Sequence, residues 1–271
     1  MVELREARKV ASKIGLGLQY VLKEARVFDI WAKLSPVIIS EEIAPHATLI
    51  CKGGTALNKV FLKDIQRFSE DLDFDAFFTK EISKKENIEF LEKHILSHLK
   101  NSYQIEEPRL MRDVVRFTCN FINEMGAKDC VFVEFNIEPK GPMIFEIRKA
   151  KSEILDIAPV EIPVYTFPVL VAKKIKTFYE RGSGKDLYDI FYSLKIAKEI
   201  KEIVNALKEV LKSEGIKYNE FVNEFLGKLE EKGIIARMHA STNPYIPRNL
   251  RVNLPGAAME IKEKLMLTCN Y

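Results

Sequence analysis

LICKGGTALNKVFLKDIQRFSEDLDFDAFF, residues 49–78, is the stretch whose reading decides the fold. Leu49, Ile50 and Cys51 form a short apolar run of the kind a buried strand shows. Gly53-Gly54-Thr55 follow, and apolar residues then recur at Ala56, Leu57, Val60 and Phe61 with helical spacing. A polar break at 66–70 leads into Asp71-Leu72-Asp73-Phe74, which alternates as a strand does. Side chains two apart on a strand share a side, so Asp71 and Asp73 face one way and Leu72 and Phe74 the other. Two carboxylates held together repel unless a cation lies between them or one keeps its proton. Oxygen ligands on a rigid strand suit a hard divalent ion such as Mg²⁺. A Gly-Gly turn opening a helix presents unobstructed backbone N–H groups where a phosphate can sit. The stretch therefore predicts a phosphate cradle beside a metal clamp.

Working outward, residues 171–181 read as a cationic helix carrying Lys173, Lys174, Lys176 and Arg181, broken at Gly182-Ser183-Gly184. Lys174 and Arg181 are seven apart and share a helix face. Asp186 and Asp189 are three apart near the start of the next helix, where acids are favoured. Such a helix facing the cradle would offset a triphosphate's charge, whereas the plain structural reading has Asp186 capping its helix or pairing with Lys174.

Gly53-Gly54-Thr55-Ala56-Leu57, Arg67-Phe68-Ser69 and Asp71-Leu72-Asp73-Phe74 together resemble the signature of the AbiEii/AbiGii-type toxin nucleotidyltransferases, within the DNA polymerase β-like nucleotidyltransferase superfamily. The later cluster resembles that family's second signature. Lys174 matches its lysine, with Lys173 the alternative one residue earlier, Arg181 its arginine, Lys185-Asp186 its Arg-Asp pair, and Asp189 its last acid. The resemblance covers roughly residues 49–191.

The resemblance implies a nucleotidyltransferase that moves an NMP from an NTP to an acceptor hydroxyl, on tRNA or a protein. It implies the toxin half of a toxin–antitoxin pair, with a cognate antitoxin as partner. Mg²⁺ (or Mn²⁺) would sit on Asp71 and Asp73. Lys52, Gly53, Gly54 and Thr55 would hold phosphate, the Thr55 hydroxyl assisting. Arg67 and Ser69 would hold the Asp71–Asp73 loop or touch phosphate. Lys174 and Arg181 would offset charge on the leaving pyrophosphate, with Asp186 and Asp189 in the catalytic set. Superfamily members place a third carboxylate on a neighbouring strand, and Glu134 in VFVEFN falls there as a metal ligand or a base. Its alternative is an outward-facing strand residue. A non-catalytic nucleotide- or RNA-binding protein that keeps the fold is the competing reading. The abutting acids weigh against it, and Glu134 weighs for it. No DNA-reading helix-turn-helix pattern marks the first fifty residues as an antitoxin-like module.

The rest of the chain sets bounds. Its 271 residues, 47% hydrophobic, suffice for one large or two modest domains. No apolar run reaches the ~18 residues that cross a bilayer, which predicts no membrane partner. MVELREARKVASK lacks the apolar core of a signal peptide, and Cys51, Cys119, Cys130 and Cys269 form no C-x-x-C pair. A reduced, cytoplasmic protein is expected. A net charge of +3 does not by itself demand nucleic acid.

Helical spacing predicts helices over 4–33, 37–43 (between Pro36 and Pro45) and 80–100. Residues 113–121, 128–137 and 143–148 read as strands. Three prolines within 157–168 predict an extended linker, and amphipathic helices follow to 229, with a last one at 257–266. His94 and His98 on the 80–100 helix read as surface residues, and Trp31 as core. The expected architecture is α+β (α/β). A catalytic domain (1–156) has a small mixed sheet flanked by helices, and the linker (157–168) joins it to a helical subdomain (169–271) that closes the cleft.

Overall fold

Strand β2 (Leu72–Phe78) alternates as the sequence predicts, with Leu72, Phe74 and Ala76 buried. It pairs antiparallel with β1 (Ala47–Lys52), which puts Lys52 beside Asp73 and Ile50 beside Asp75. On its other side it pairs parallel with β6 (Lys128–Asn136), which puts Glu134 beside Asp73 and Asn136 beside Asp75. The structure is a computed structural model describing residues 2–81 and 83–269. Among these, eight strands form one mixed sheet in the order β3 (Gln104–Ile105), β5 (Val114–Ile122), β6, β2, β1, β8 (Val160–Tyr165), β7 (Phe145–Ala150), with β4 (Arg109–Met111) paired to β5.

One face of this sheet is apolar because every second residue is. Val131, Val133 and Phe135 of β6 and Val115 and Phe117 of β5 are buried with Phe74, whose ring stacks on Phe135 at 5.1 Å. Helix α2 (Leu18–Ile38) adds Phe28, Ile30, Trp31 and Leu34 to the same core cluster. Burying each such side chain stabilises the fold by roughly 1.5–3 kcal/mol. Helix α1 (Leu4–Ile14) ends at Gly15 in the left-handed region and packs in a smaller cluster with Phe68 and Leu155.

After β1 the chain turns into α3 (Gly53–Ala56), which continues as a π-helical segment over Leu57–Leu62. Helix α4 (Lys84–His94) follows β2 and opens with a Ser83/Glu86 capping box. The second half is helical: α5 (Phe167–Arg181), α6 (Gly184–Ile196), α7 (Ile200–Ser213), α8 (Tyr218–Glu230), α9 (Lys232–Thr242) and α10 (Leu254–Cys269). Buried residues of α5 to α8 and α10 belong to the core cluster that also holds Leu49 and Phe74, so one core joins both halves. Among the described residues no helix is long and apolar enough to cross a membrane. Cys51, Cys119 and Cys130 are free thiols; the side chain of Cys269 lies outside the described ones.

Three local expectations are corrected. Helix α2 runs through Pro36 rather than stopping before it, and 39–46 is turn rather than helix. Pro36 falls in the last turn, so its missing N–H costs the helix a single bond, the one to the Ala32 carbonyl, and Ser35 fastens that turn to the Glu161 carbonyl. The predicted 80–100 helix is shorter, with α4 ending at His94 and a separate 3₁₀ turn at Leu96–Leu99. Most important, 157–168 is not a free linker. It contains β8, an interior strand, which pairs antiparallel with β7 and touches β1 in parallel at Cys51 and Val164. Pro163 stands opposite Ile147 of β7, and the single parallel pair with β1 leaves little ladder for Pro163 to interrupt.

Candidate active site

At the end of β1, Lys52 is extended and Gly53 takes φ +77, a conformation an L side chain strains to adopt. A Cβ on Gly53 would stand 2.1 Å from Asp73 Oδ2. A Cβ on Gly54 would stand 2.6 Å from an Arg67 nitrogen and 2.9 Å from Ser69 Oγ. The glycines thus let the corner close onto the acid strand, and the first N–H groups of α3 have no partner within the helix. Lys52, Gly53, Gly54 and Asp73 line one cleft of about 540 Å³ together with Lys173, Lys174 and Arg181 of α5. The acid, the glycine corner and the cationic helix therefore share one space.

Asp71 and Asp73 are half-buried, and among the described residues neither forms an ion pair. Burial, then the Asp73, Glu70 and Glu134 charges, raise the Asp71 carboxyl to about 7. Burial and the Glu134 charge raise Asp73 to about 6, against the pull of Lys52, Lys174 and Arg181. Glu134 faces Asp73 across the β2–β6 ladder, but Arg116 Nε donates to its Oε1 at 2.5 Å. Among the described residues no three His, Cys, Asp or Glu side chains are gathered closely enough to hold a metal ion. Two neighbouring carboxylates with raised proton affinity do fit one hard divalent ion, whose charge would relieve their repulsion.

Behind the corner lies a buried ionic network. Asp189, fully buried, accepts both Nε (2.9 Å) and Nη2 (2.6 Å) of Arg67. It also accepts Asn58 Nδ2 at 2.9 Å and lies 3.2 Å from Lys174 Nζ. Asp186 accepts Lys174 Nζ at 2.7 Å and two nitrogens of Arg181 at 2.7 and 2.8 Å. These cations overcome its burial and bring the Asp186 carboxyl down to about 2. Asp186 thereby ties the first turn of α6 to α5 across the Gly182 turn. The Lys174 ammonium is held at the cleft wall, while the Arg181 side chain stays largely exposed at its rim. Lys185, next in sequence, lies 4.0 Å above the Tyr245 ring and 3.9 Å from Glu70.

One expected phosphate contact, Thr55, is placed elsewhere, and Arg67, expected to hold the Asp71–Asp73 loop or touch phosphate, lies beneath the corner. Thr55 is fully buried, and its hydroxyl donates to the Asp71 carbonyl, pinning the start of β2 to α3 rather than facing the cleft. Arg67 is buried and engaged by Asp189, so it supports the corner from beneath; Ser69 Oγ lies directly at Gly54.

Sequence reasoning missed Asp75. It lies one period beyond Asp73, on the same face, and the alternation Asp71-Leu72-Asp73-Phe74-Asp75 was the available signal. Asp75 is fully buried and takes Lys52, Asn136 (3.2 Å), Tyr165 (2.7 Å) and Lys173 (2.9 Å). Burial would raise its carboxyl, but Lys52 and Lys173 bring it down to about 2. The three acids of the stripe therefore divide: among the described residues Asp71 and Asp73 form no ion pair, and Asp75 is saturated with cations.

Comparisons with known proteins bear on the family and the fold. The sequence model described as nucleotidyl transferase AbiEii toxin, Type IV TA system, matches residues 42–260. MenT4, a nucleotidyltransferase toxin from Mycobacterium tuberculosis H37Rv, has a similar fold with a TM-score of 0.62 at 14% identity, over 100% of this chain and 91% of that one. A candidate nucleotidyltransferase from H. pylori is similar at a TM-score of 0.52 and 18% identity, over 94% of this chain and 96% of that one. No curated relative matches the sequence.

Proposed function

The chain belongs to the AbiEii nucleotidyl transferase toxin family, and we propose that it moves an NMP from an NTP to an acceptor hydroxyl on tRNA or a protein, with Mg²⁺ or Mn²⁺ held by Asp71 and Asp73. The observation that carries this reading is the approach of the Asp73 carboxylate to the Gly53 corner, inside a cleft walled by Lys173, Lys174 and Arg181. A divalent ion bound there supplies Lewis-acid polarisation of phosphoryl oxygens and neutralises charge between the two acids.

The chain's own residues do the rest. Backbone N–H groups of the 53–55 turn hold phosphate oxygens, and the bare glycines let that turn close onto Asp73 on one side and Arg67 and Ser69 on the other. Lys174 and Arg181 face the negative charge that builds on the leaving pyrophosphate. Asp186 and Asp189 act through these cations: each is buried on a base, so their role is to aim them. Asn58 and Arg67 brace the corner through Asp189. Glu134 enters as a charge beside Asp73 rather than as a ligand, because Arg116 engages its carboxylate. The family implies an antitoxin partner.

The test is transfer of label from each α-³²P-NTP, with Mg²⁺, to total tRNA and to cellular protein. Wild type is expected to label one acceptor class, and Asp71→Asn and Asp73→Asn to label none while folding normally. Unchanged labelling by both variants would place the chemistry elsewhere.

A further inference from the structure

Asp75 is the one acid of the β2 stripe that the transfer chemistry does not use, and its surroundings are unusual. Its four hydrogen bonds come from β1 (Lys52), β6 (Asn136), β8 (Tyr165) and α5 (Lys173). A carboxylate has about four lone-pair sites, so none remains for a metal or a substrate. Two ammonium groups on one carboxylate leave a surplus positive charge. Lys52 sits next to Gly53, and both lysines line the cleft with Gly53, Gly54 and Asp73. Among the described residues each ammonium makes one hydrogen bond, to Asp75, so donors remain on both. The Lys173 ammonium also lies 4.6 Å over the Tyr165 ring, whose hydroxyl is on the same carboxylate. Of the other charges near the pair, Asp73 stands beside Lys52 in the β1–β2 register and forms no ion pair with it among the described residues. Lys174 and Arg181 are on Asp186, and Glu214 is 2.9 Å from Lys176.

We infer that Asp75 is a positioning residue that holds Lys52 and Lys173 as a two-lysine clamp for the polyphosphate tail of the incoming NTP. The inference rests on the nucleotidyltransferase reading above. It assigns Lys173, alongside Lys174, to the substrate: adjacent residues of α5 anchored on different acids, one on β2 and the other on α6. Tethering two flexible lysines to a buried carboxylate on the central strand removes rotamer freedom before the ligand arrives. Two separate elements, β1 and α5, are thereby held at the spacing the polyphosphate needs.

The experiment measures inorganic tripolyphosphate binding by calorimetry on the full chain, without acceptor, together with the steady-state kinetics of transfer. Asp75→Asn removes the tether. Lys173→Met removes one arm and leaves Asp75 bonded to Lys52, Tyr165 and Asn136, so it provides a folded variant if Asp75→Asn does not fold. Both should weaken tripolyphosphate binding and raise the NTP KM by about 10- to 100-fold, the range expected for lost charge-assisted hydrogen bonds. The kcat at saturating NTP should stay within roughly threefold of wild type, because the loss is one of uniform binding. Asp75→Glu, which keeps the charge, should recover part of the affinity. A folded variant with unchanged tripolyphosphate affinity, or one that loses kcat at constant KM, overturns the inference. Wild type that binds tripolyphosphate through these lysines but transfers nothing would sink the transferase chemistry and still support the clamp.

Discussion

Asp73 Oδ2 lies 2.1 Å from the point where a Cβ on Gly53 would begin. The site is therefore built on an absent side chain. Gly53→Ala must either push Asp73 off the cleft or unwind the corner. The alanine also inherits φ +77, which costs an L residue roughly 1–2 kcal/mol. Transfer should fall about a hundredfold or more, since a displacement of ~1 Å at the reacting groups has that effect. The melting temperature should fall by only a few degrees. Circular dichroism melts run beside the transfer assay separate the two effects, and an active Gly53→Ala enzyme would show the close approach to be unimportant.

Arg67 and Asp189 form a buried pair with two parallel hydrogen bonds. Deleting one member strands the other charge in the core, which costs about 3–5 kcal/mol. Asp189→Leu should thus lower the melting temperature by roughly 6–20 °C. Adding Arg67→Met should restore much of that loss, because the double variant leaves no unpaired guanidinium. If the double variant is no more stable than Asp189→Leu alone, stranded charge is not the cause.

The glycine–acid corner was legible in residues 49–78 because its parts are local. Two glycines and an alternating acid pair each declare their conformation within a few residues, and the structure keeps both. The ligands of the acids were not legible, because they come from elements far apart in sequence. Asp75 meets Lys52 only through the β1–β2 register and Lys173 only through the seating of α5. Strand β8 was hidden by Pro163, whose effect depends on which neighbour needs an N–H there. The passage of α2 through Pro36 is likewise decided by tertiary contact. Ser35, one residue earlier, donates its hydroxyl to the Glu161 carbonyl and ties the last turn of the helix to β8.

Four carboxyls in the site titrate away from the ordinary range of about 3.9, and their signs oppose. Asp71 (about 7) and Asp73 (about 6) bind protons more tightly when folded, burial being the first cause for both. Stability therefore falls as pH rises from about 4 through 7. Asp75 and Asp186, both lowered to about 2 by their lysine and arginine partners despite burial, act the other way. Their contribution is full above about 4 and is lost as pH drops toward 2. In EDTA these four groups together place maximum stability near pH 4–5. Denaturant melts from pH 2 to 8 read this directly. Asp71→Asn and Asp73→Asn should each flatten the decline on the upper side. Mg²⁺ at pH 7.5 should raise the wild-type midpoint and leave the double variant unmoved. An upper limb identical in wild type and both variants would mean that the acid pair is not strained.

Glu134 stands opposite Asp73 in the β2–β6 register with Arg116 on its carboxylate. Two roles give different outcomes for Glu134→Gln. A general base contributes about 10²–10⁴ in rate, so its removal would depress transfer by that factor at every pH. A fixed neighbouring charge works through Asp73 instead. After burial, the Glu134 carboxylate is the largest influence raising the Asp73 carboxyl. Neutralising it lowers the Asp73 pKa and keeps Asp73 ionised to lower pH. The arrangement favours the second role, because Arg116 Nε already occupies Glu134 Oε1. Glu134→Gln should accordingly retain transfer within about tenfold at pH 8, below the general-base range, and its acid limb should move to lower pH than that of wild type. A uniform loss of a hundredfold or more, with the acid limb unmoved, would instead make Glu134 the base.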